Sequence, residues 1–185
     1  GVRLVGSEMC IRDRPWEARC AIFLKASELL AGPRRAEINA STMINQSKTC
    51  HQAEIDSACE LIDFWRFNSD YCRQIYEDLQ PPVSPSSMWN SSEIRPLEGF
   101  VFSVTPFNFS SIAANLPSSA AIMGNTGVWK PSRNSYVSNY RLMKLMMDAG
   151  LPAGVINFIP GKASVVGDIC MSHPELAGVH FTGST

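Results

Sequence analysis

Three side chains stand out for the chemistry their type and position allow: Asn108, Lys130 and Ser132. Asn108 belongs to Thr105-Pro106-Phe107-Asn108-Phe109, directly after the apolar run Phe100–Val104, and Lys130-Pro131-Ser132 ends a second apolar run over 126–129. Apolar strands that stop abruptly at polar residues, with helical sequence between them, are how an open α/β sheet presents ligands, in a crevice outside the carboxyl ends of its strands. A carboxamide N–H is a neutral donor that steadies an oxyanion without titrating, and losing one such donor costs ~10²–10³ in rate. An ammonium at a strand end can reach ribose hydroxyls or a phosphate. Ser132 either caps the helix that follows or touches a phosphate, and Pro131 fixes the turn. Each residue also has a plainer alternative: Asn108 as a helix cap, Lys130 as an ordinary exposed lysine.

Further signals are weaker singly. Gly161 and Gly167 follow a strand but do not form the Gly-x-Gly-x-x-Gly turn of conventional nicotinamide-binding folds. Gly183-Ser184, after a run at 178–181, can open a helix N-terminus suited to a pyrophosphate. Glu60, Phe64 and Phe67 share one helical line, a carboxylate beside two aromatics, for which a solvated glutamate is the simpler account. His51, His173 and His180 are far apart and read as structural. The six cysteines include no Cys-x-x-Cys pair, which favours reduced thiols over a disulfide framework and predicts no metal site. A net charge of −1 with 45% hydrophobic residues carries no nucleic-acid footprint. No apolar run approaches the ~20 residues of a membrane-spanning helix, so no membrane partner is expected.

The elements that position these residues follow from periodicity. Helices are predicted over 16–30, 34–46 and 50–75, the last with an apolar stripe of Ile55, Cys59, Ile62 and either Trp65 or Arg66. Gly32-Pro33 separates the first two. Pro81-Pro82-Val83-Ser84-Pro85 breaks helical propensity, and 86–95 reads as an exposed hairpin or arm turning at Asn90-Ser91, or as a plain surface loop. From Leu97 the grammar alternates: strands at 100–104, 126–129, 155–159 and 178–181, helices at 110–123, 135–149 and 163–171. The helix at 135–149 places Tyr140, Leu142, Leu145 and Met146 on its apolar side. Strands alternating with helices imply a parallel sheet with right-handed crossovers. The fold class expected is α/β: a helical N-terminal segment followed by a Rossmann-like, doubly wound parallel sheet that is incomplete. The divisions are a non-native leader at 1–14, N-terminal helices at 15–80, an extended arm or hairpin at 81–98, and a partial nucleotide-binding domain at 99–185.

Taken in order, TPFNF, MGNTGVWKPS, AGLPAGVINFIPG and GVHFTGS resemble the aldehyde dehydrogenase superfamily. Upstream, FLKASELLAGPRRAEINASTM, QAEIDSACELIDFWRFN and LEGFVFSVTPFNF resemble its branch of 1-pyrroline-5-carboxylate (glutamate-γ-semialdehyde) dehydrogenases. The resemblance runs from about Trp16 to Ser184 and corresponds to the N-terminal third or so of a complete member. It implies NAD as cofactor, glutamate-γ-semialdehyde as the small-molecule substrate, oxidation to glutamate in proline catabolism, and a homo-oligomer when full length. The location implied is the mitochondrial matrix in a eukaryote and the cytoplasm in a bacterium. It makes Asn108 the oxyanion stabiliser, puts Lys130 on the adenosine ribose with Ser132 nearby, and gives Thr105 a backbone contact to the nicotinamide end. Ser184 approaches the pyrophosphate, while Glu60 and Phe109 face the substrate. The family's nucleophilic cysteine and general-base glutamate fall in later sequence, so the 185-residue chain is expected to be inactive alone. Another aldehyde dehydrogenase subfamily, or a truncated non-catalytic module, stands as the alternative.

Overall fold

The computed structural model describes residues 11–184. Three helical stretches come first: α1 (Trp16–Ala31), α2 (Arg35–Gln46), and a long rod made of α3 (Cys50–Ala53), a π-helical segment (Glu54–Cys59) and α4 (Glu60–Asp78). An alternating part follows: β1 (Phe100–Val104), α5 (Ser110–Ile122), β2 (Thr126–Lys130), a 3₁₀ turn (Arg133–Ser135), α6 (Tyr136–Asp148), β3 (Ile156–Phe158), α7 (Ala163–Met171) and β4 (Leu176–Phe181). All four strands are parallel in the order β3-β2-β1-β4, which is the α/β architecture the pattern predicts.

Strand periodicity sorts the side chains onto two faces. Phe100, Phe102 and Val104 share one face with their register partners Thr126, Val128 and Lys130. Phe100 and Phe102 pack there against Cys170 of α7. Trp129 and Ile156 turn to the other face, where they join the main core with Phe23, Leu30, Leu61, Trp65, Ile122, Leu142, Leu145 and Met146. Each large side chain removed from water in this core contributes about 1.5–3 kcal/mol. Trp65 also donates its indole N–H to Ser118 Oγ at 3.0 Å, next to Pro117 inside α5. Arg19, only 3% exposed, closes the far end of α5: its Nε donates to Ile122 O at 2.8 Å and its Nη2 donates to Tyr76 Oη at 2.8 Å. A cation there also complements the negative end of the helix dipole.

Several details depart from the periodicity reading. The helix over 50–75 extends to Asp78 and is interrupted by the π turn, whose wider winding shifts the inward face. Ser57, Ala58 and Leu61 therefore point to the core, while Ile55 of the expected stripe is 42% exposed. Tyr140 is likewise 54% exposed, its ring resting against Phe158 at 5.8 Å. The segment after Pro81 forms neither helix nor ladder, and its turn falls at 85–88, where Met88 N–H donates to Pro85 O at 3.0 Å and Ser87 takes φ 73°. Residues 1–10 of the expected leader lie outside the described residues. Ile11, within the same stretch, is fully buried in the main core. Of the described cysteines Cys20, Cys50, Cys59, Cys72 and Cys170 are free; Cys10 lies outside the described residues.

Candidate cofactor and oxyanion site

The register Val104↔Lys130 makes β1 and β2 end level, and β4 ends beside them with Val104↔Phe181. Two backbone bonds continue the sheet past its last pairs: Thr105 N–H donates to Lys130 O at 3.2 Å, and Thr182 N–H donates to Val104 O at 3.1 Å. Three chain turns thus meet along one rim. The cleft they enclose has a volume of about 590 Å³ and is lined by Thr105, Asn108, Phe109, Lys130, Ser132 and Ser184, together with Val104, Pro106, Phe107, Ile112, Phe181, Thr182 and Gly183. It stands at the carboxyl ends of the strands, where an open parallel sheet binds its ligands.

Each side chain is set by its local structure. Thr105 is 4% exposed, and its Oγ1 accepts the indole N–H of Trp129 at 3.0 Å, which ties the rim to the main core. Pro106 turns the chain outward, leaving Phe107 57% exposed and Asn108 exposed. Asn108 does not cap α5. That position belongs to Phe109, whose backbone is extended (φ −131°, ψ 106°), and no side chain closes the helix start. Among the described residues the Asn108 carboxamide forms no hydrogen bond, so its N–H groups remain available at the cleft. Ser132 does not cap with its side chain either; its carbonyl accepts from Ser135 N–H at 3.1 Å and from Ser135 Oγ at 3.2 Å. Ser132 is one of the residues lining the cleft.

Lys130 is not the exposed lysine of the plainer account. It is 8% exposed, and among the described residues its ammonium has neither an ion pair nor a hydrogen bond. Burial pushes its pKa below the ordinary lysine value. A buried lysine on a cleft lining, unpartnered among the described residues, fits hydroxyl or phosphate oxygens of a ligand. With the Ser132 and Ser184 hydroxyls it makes a donor set suited to a nucleotide's ribose and pyrophosphate.

Glu60 lies outside the cleft lining. It accepts a hydrogen bond at 2.7 Å from Ser111 Oγ in the first turn of α5, immediately past Phe109. The π turn just before it sets the angle from which it is presented. That turn is held by its own network: Glu54 pairs with Arg35, which keeps the Glu54 carboxyl below the usual carboxylate range, and Asn39 donates to the same carboxylate. His173 and His180 are structural, the first against the Phe100 ring at 5.4 Å and the second 3.1 Å from Leu116 O through Nδ1. Among the described residues no cluster could hold a metal ion, and no helix is long and apolar enough to cross a membrane.

One residue at the site carried no signal in the sequence. Lys48, in the turn between α2 and α3, donates from Nζ to Asn108 O and pairs with Asp56, and its ammonium stands 4.6 Å from the Phe109 ring centroid. It is 60 positions upstream of Asn108, and no local spacing links the two.

A parallel sheet of four strands with a cleft at the level ends of β1, β2 and β4 defines an α/β protein of the open-sheet class. Residues 8–185 match the Aldehyde dehydrogenase family, and the chain belongs to it. Among similar proteins, the probable delta-1-pyrroline-5-carboxylate dehydrogenase of Schizosaccharomyces pombe is 49% identical over 171 residues, covering 92% of this chain and 31% of its own length. The mitochondrial delta-1-pyrroline-5-carboxylate dehydrogenase of Homo sapiens is 46% identical, with 92% of this chain and 30% of its own length covered. The crystal structure of the Mycobacterium tuberculosis delta-pyrroline-5-carboxylate dehydrogenase bound with NAD superposes with a TM-score of 0.94 at 51% identity, over 98% of this chain and 34% of that one. The chain therefore spans about a third of the length of the relatives it matches.

Proposed function

We propose that this chain is the N-terminal, cofactor-receiving part of an NAD-dependent 1-pyrroline-5-carboxylate dehydrogenase, which oxidises glutamate-γ-semialdehyde to glutamate in proline catabolism. The observation that carries the reading is that Asn108 and Lys130, 22 positions apart in the chain, line one cleft at the strand ends. The relatives' names and the NAD-bound structure support the same substrate and cofactor.

In this reading Lys130 donates to the adenosine ribose, with Ser132 beside it. Ser184 approaches the pyrophosphate, and the Thr105 backbone borders the nicotinamide end. NAD, when bound, accepts the hydride released from the substrate. Asn108 donates to the oxygen of the tetrahedral thiohemiacetal, whose charge develops only as the aldehyde is attacked, so its contribution appears in the rate more than in binding. Glu60, steadied by Ser111, and Phe109 hold the substrate's far end. None of the described cysteines lines the cleft, and the reading assigns both the nucleophilic thiol and the general base to sequence outside this chain. The full-length protein is read as a homo-oligomer, in the cytoplasm of a bacterium or the mitochondrial matrix of a eukaryote; several eukaryotic relatives are named mitochondrial.

The test is Asn108→Ala in the full-length protein. Turnover of glutamate-γ-semialdehyde should fall ~10²–10³-fold, while NAD affinity measured by fluorescence titration stays close to wild type. Equal losses in turnover and NAD affinity would remove the oxyanion role. Simple aliphatic aldehydes oxidised as fast as the semialdehyde would point to a different branch of the family.

A further inference from the structure

We infer that Lys48 is a positioning residue for the Asn108 donor, an inference that rests on the oxyanion reading above. The turn carrying Asn108 is poorly held by the sheet. Thr105 N–H is fixed to Lys130 O before it, and Phe109 O accepts from Ala113 N–H after it. Between these points, among the described residues, the one hydrogen bond to the backbone of residues 107–108 comes from Lys48 Nζ to Asn108 O. The same ammonium is paired with Asp56 and lies over the Phe109 ring at 4.6 Å, so it grips the turn at two successive residues.

Lys48 is itself rigidly placed. Ser47 takes a left-handed conformation (φ 54°) that ends α2, and Lys48 N–H donates back to Met43 O at 3.2 Å. Thr49 then starts α3 with a reciprocal capping box to Gln52. Asp56 comes from the π turn, and the two charged side chains are only 13% and 14% exposed. An ion pair shielded to this degree is screened far less than a surface one. The helical layer therefore sets the peptide plane at Asn108 through one ammonium, and the carboxamide's aim follows from that plane. Donor geometry at a reacting centre is exacting: a misplacement of ~1 Å can cost about a hundredfold in rate.

The experiment is a double-mutant cycle in the full-length protein, with Lys48→Met, Asn108→Ala and the pair, reading kcat, the KM for NAD and thermal unfolding. Lys48→Met should lower kcat about ten- to a hundredfold, leave the KM for NAD within about twofold, and add little to the loss already caused by Asn108→Ala. Lys48→Arg, which keeps the cation, should recover part of kcat. Unchanged kcat in Lys48→Met, or a double mutant whose losses multiply, would overturn the inference while leaving the oxyanion reading intact. An Asn108→Ala variant with wild-type turnover would overturn both. Should Lys48→Met fail to fold, Asp56→Asn carries the same test: a lowered kcat at unaltered KM for NAD supports the inference, and an unaltered kcat refutes it.

Discussion

Lys130→Met separates what this lysine does to the fold from what it does for the cofactor. In the free protein the side chain is 8% exposed and its ammonium has no partner among the described residues. A buried polar group left without its hydrogen bonds costs about 1–3 kcal/mol, and a charged one costs more when fully enclosed. The Nζ is not fully enclosed, which favours the lower end, about 1 kcal/mol. Methionine keeps the apolar stem and removes the charge, so the variant without cofactor should be the more stable by that amount. With NAD bound the order reverses. A charge-assisted hydrogen bond to the ribose is worth about 1.5–3 kcal/mol, or roughly ten- to a hundredfold in the dissociation constant. Ligand stabilisation grows as the logarithm of concentration over that constant, so a tenfold weaker site forfeits about 1.4 kcal/mol at saturating NAD.

Thermal unfolding of the full-length pair, with and without NAD, reads both effects together. The pH dependence gives a third. Burial lowers the folded-state pKa of Lys130 beneath its unfolded value. Between the two values the folded state holds fewer protons, so the free wild-type protein should gain stability as pH rises through that window. Its affinity for NAD should fall over the same rise, starting below the ordinary lysine value of about 10.4. The methionine variant should show neither slope. Unfolding of cofactor-free Lys130→Met at a lower temperature than wild type would refute the desolvation argument, and an unchanged NAD affinity would refute the ribose contact.

Two further substitutions test the frame of the site. Gly99→Ala introduces a Cβ at φ 99° that would stand 2.0 Å from the Glu175 carbonyl oxygen, at the point where Phe100 N–H donates to that same oxygen. Urea unfolding should show a loss of about 3 kcal/mol or more, combining backbone strain with a broken β1–β4 start. Arg19→Met removes the donor to Ile122 O and the partner of Tyr76 Oη. A loss of about 2–4 kcal/mol is expected by the same assay, and a loss under 1 kcal/mol would mean that water replaces the guanidinium at the end of α5.

How much of this was legible in the chain differs from element to element. The four strands and their helices were readable because each carries its own period and its own stop: Gly150 at φ 112° after α6, the Lys130-Pro131 break after β2. The rim residues were readable for the same reason, since a side chain immediately past a strand end is at the crevice wherever the strands are parallel. Ile55 and Tyr140 were misread because a helical wheel assumes unbroken α geometry and a full set of neighbours. The π turn breaks the first assumption, and the open surface around Tyr140 breaks the second. The turn at Pro85–Met88 was missed because Ser87 adopts a positive φ that serine does not advertise.

The sequence by itself determined the order and type of the elements, the α/β class, and the family to which the motif string belongs. These rest on local periodicity, turn chemistry and residue identity, none of which depends on distant contacts. Tertiary structure alone decided the state of the functional groups. Asn108 is not a cap because Phe109 takes the helix start; Lys130 is buried, and unpartnered among the described residues, where β2 ends beside β1. Lys48 reaches Asn108 only because the α2–α3 turn is folded against the connection between β1 and α5. Burial, pairing and charge are properties of surroundings assembled from segments far apart in the chain, and no single stretch contains them.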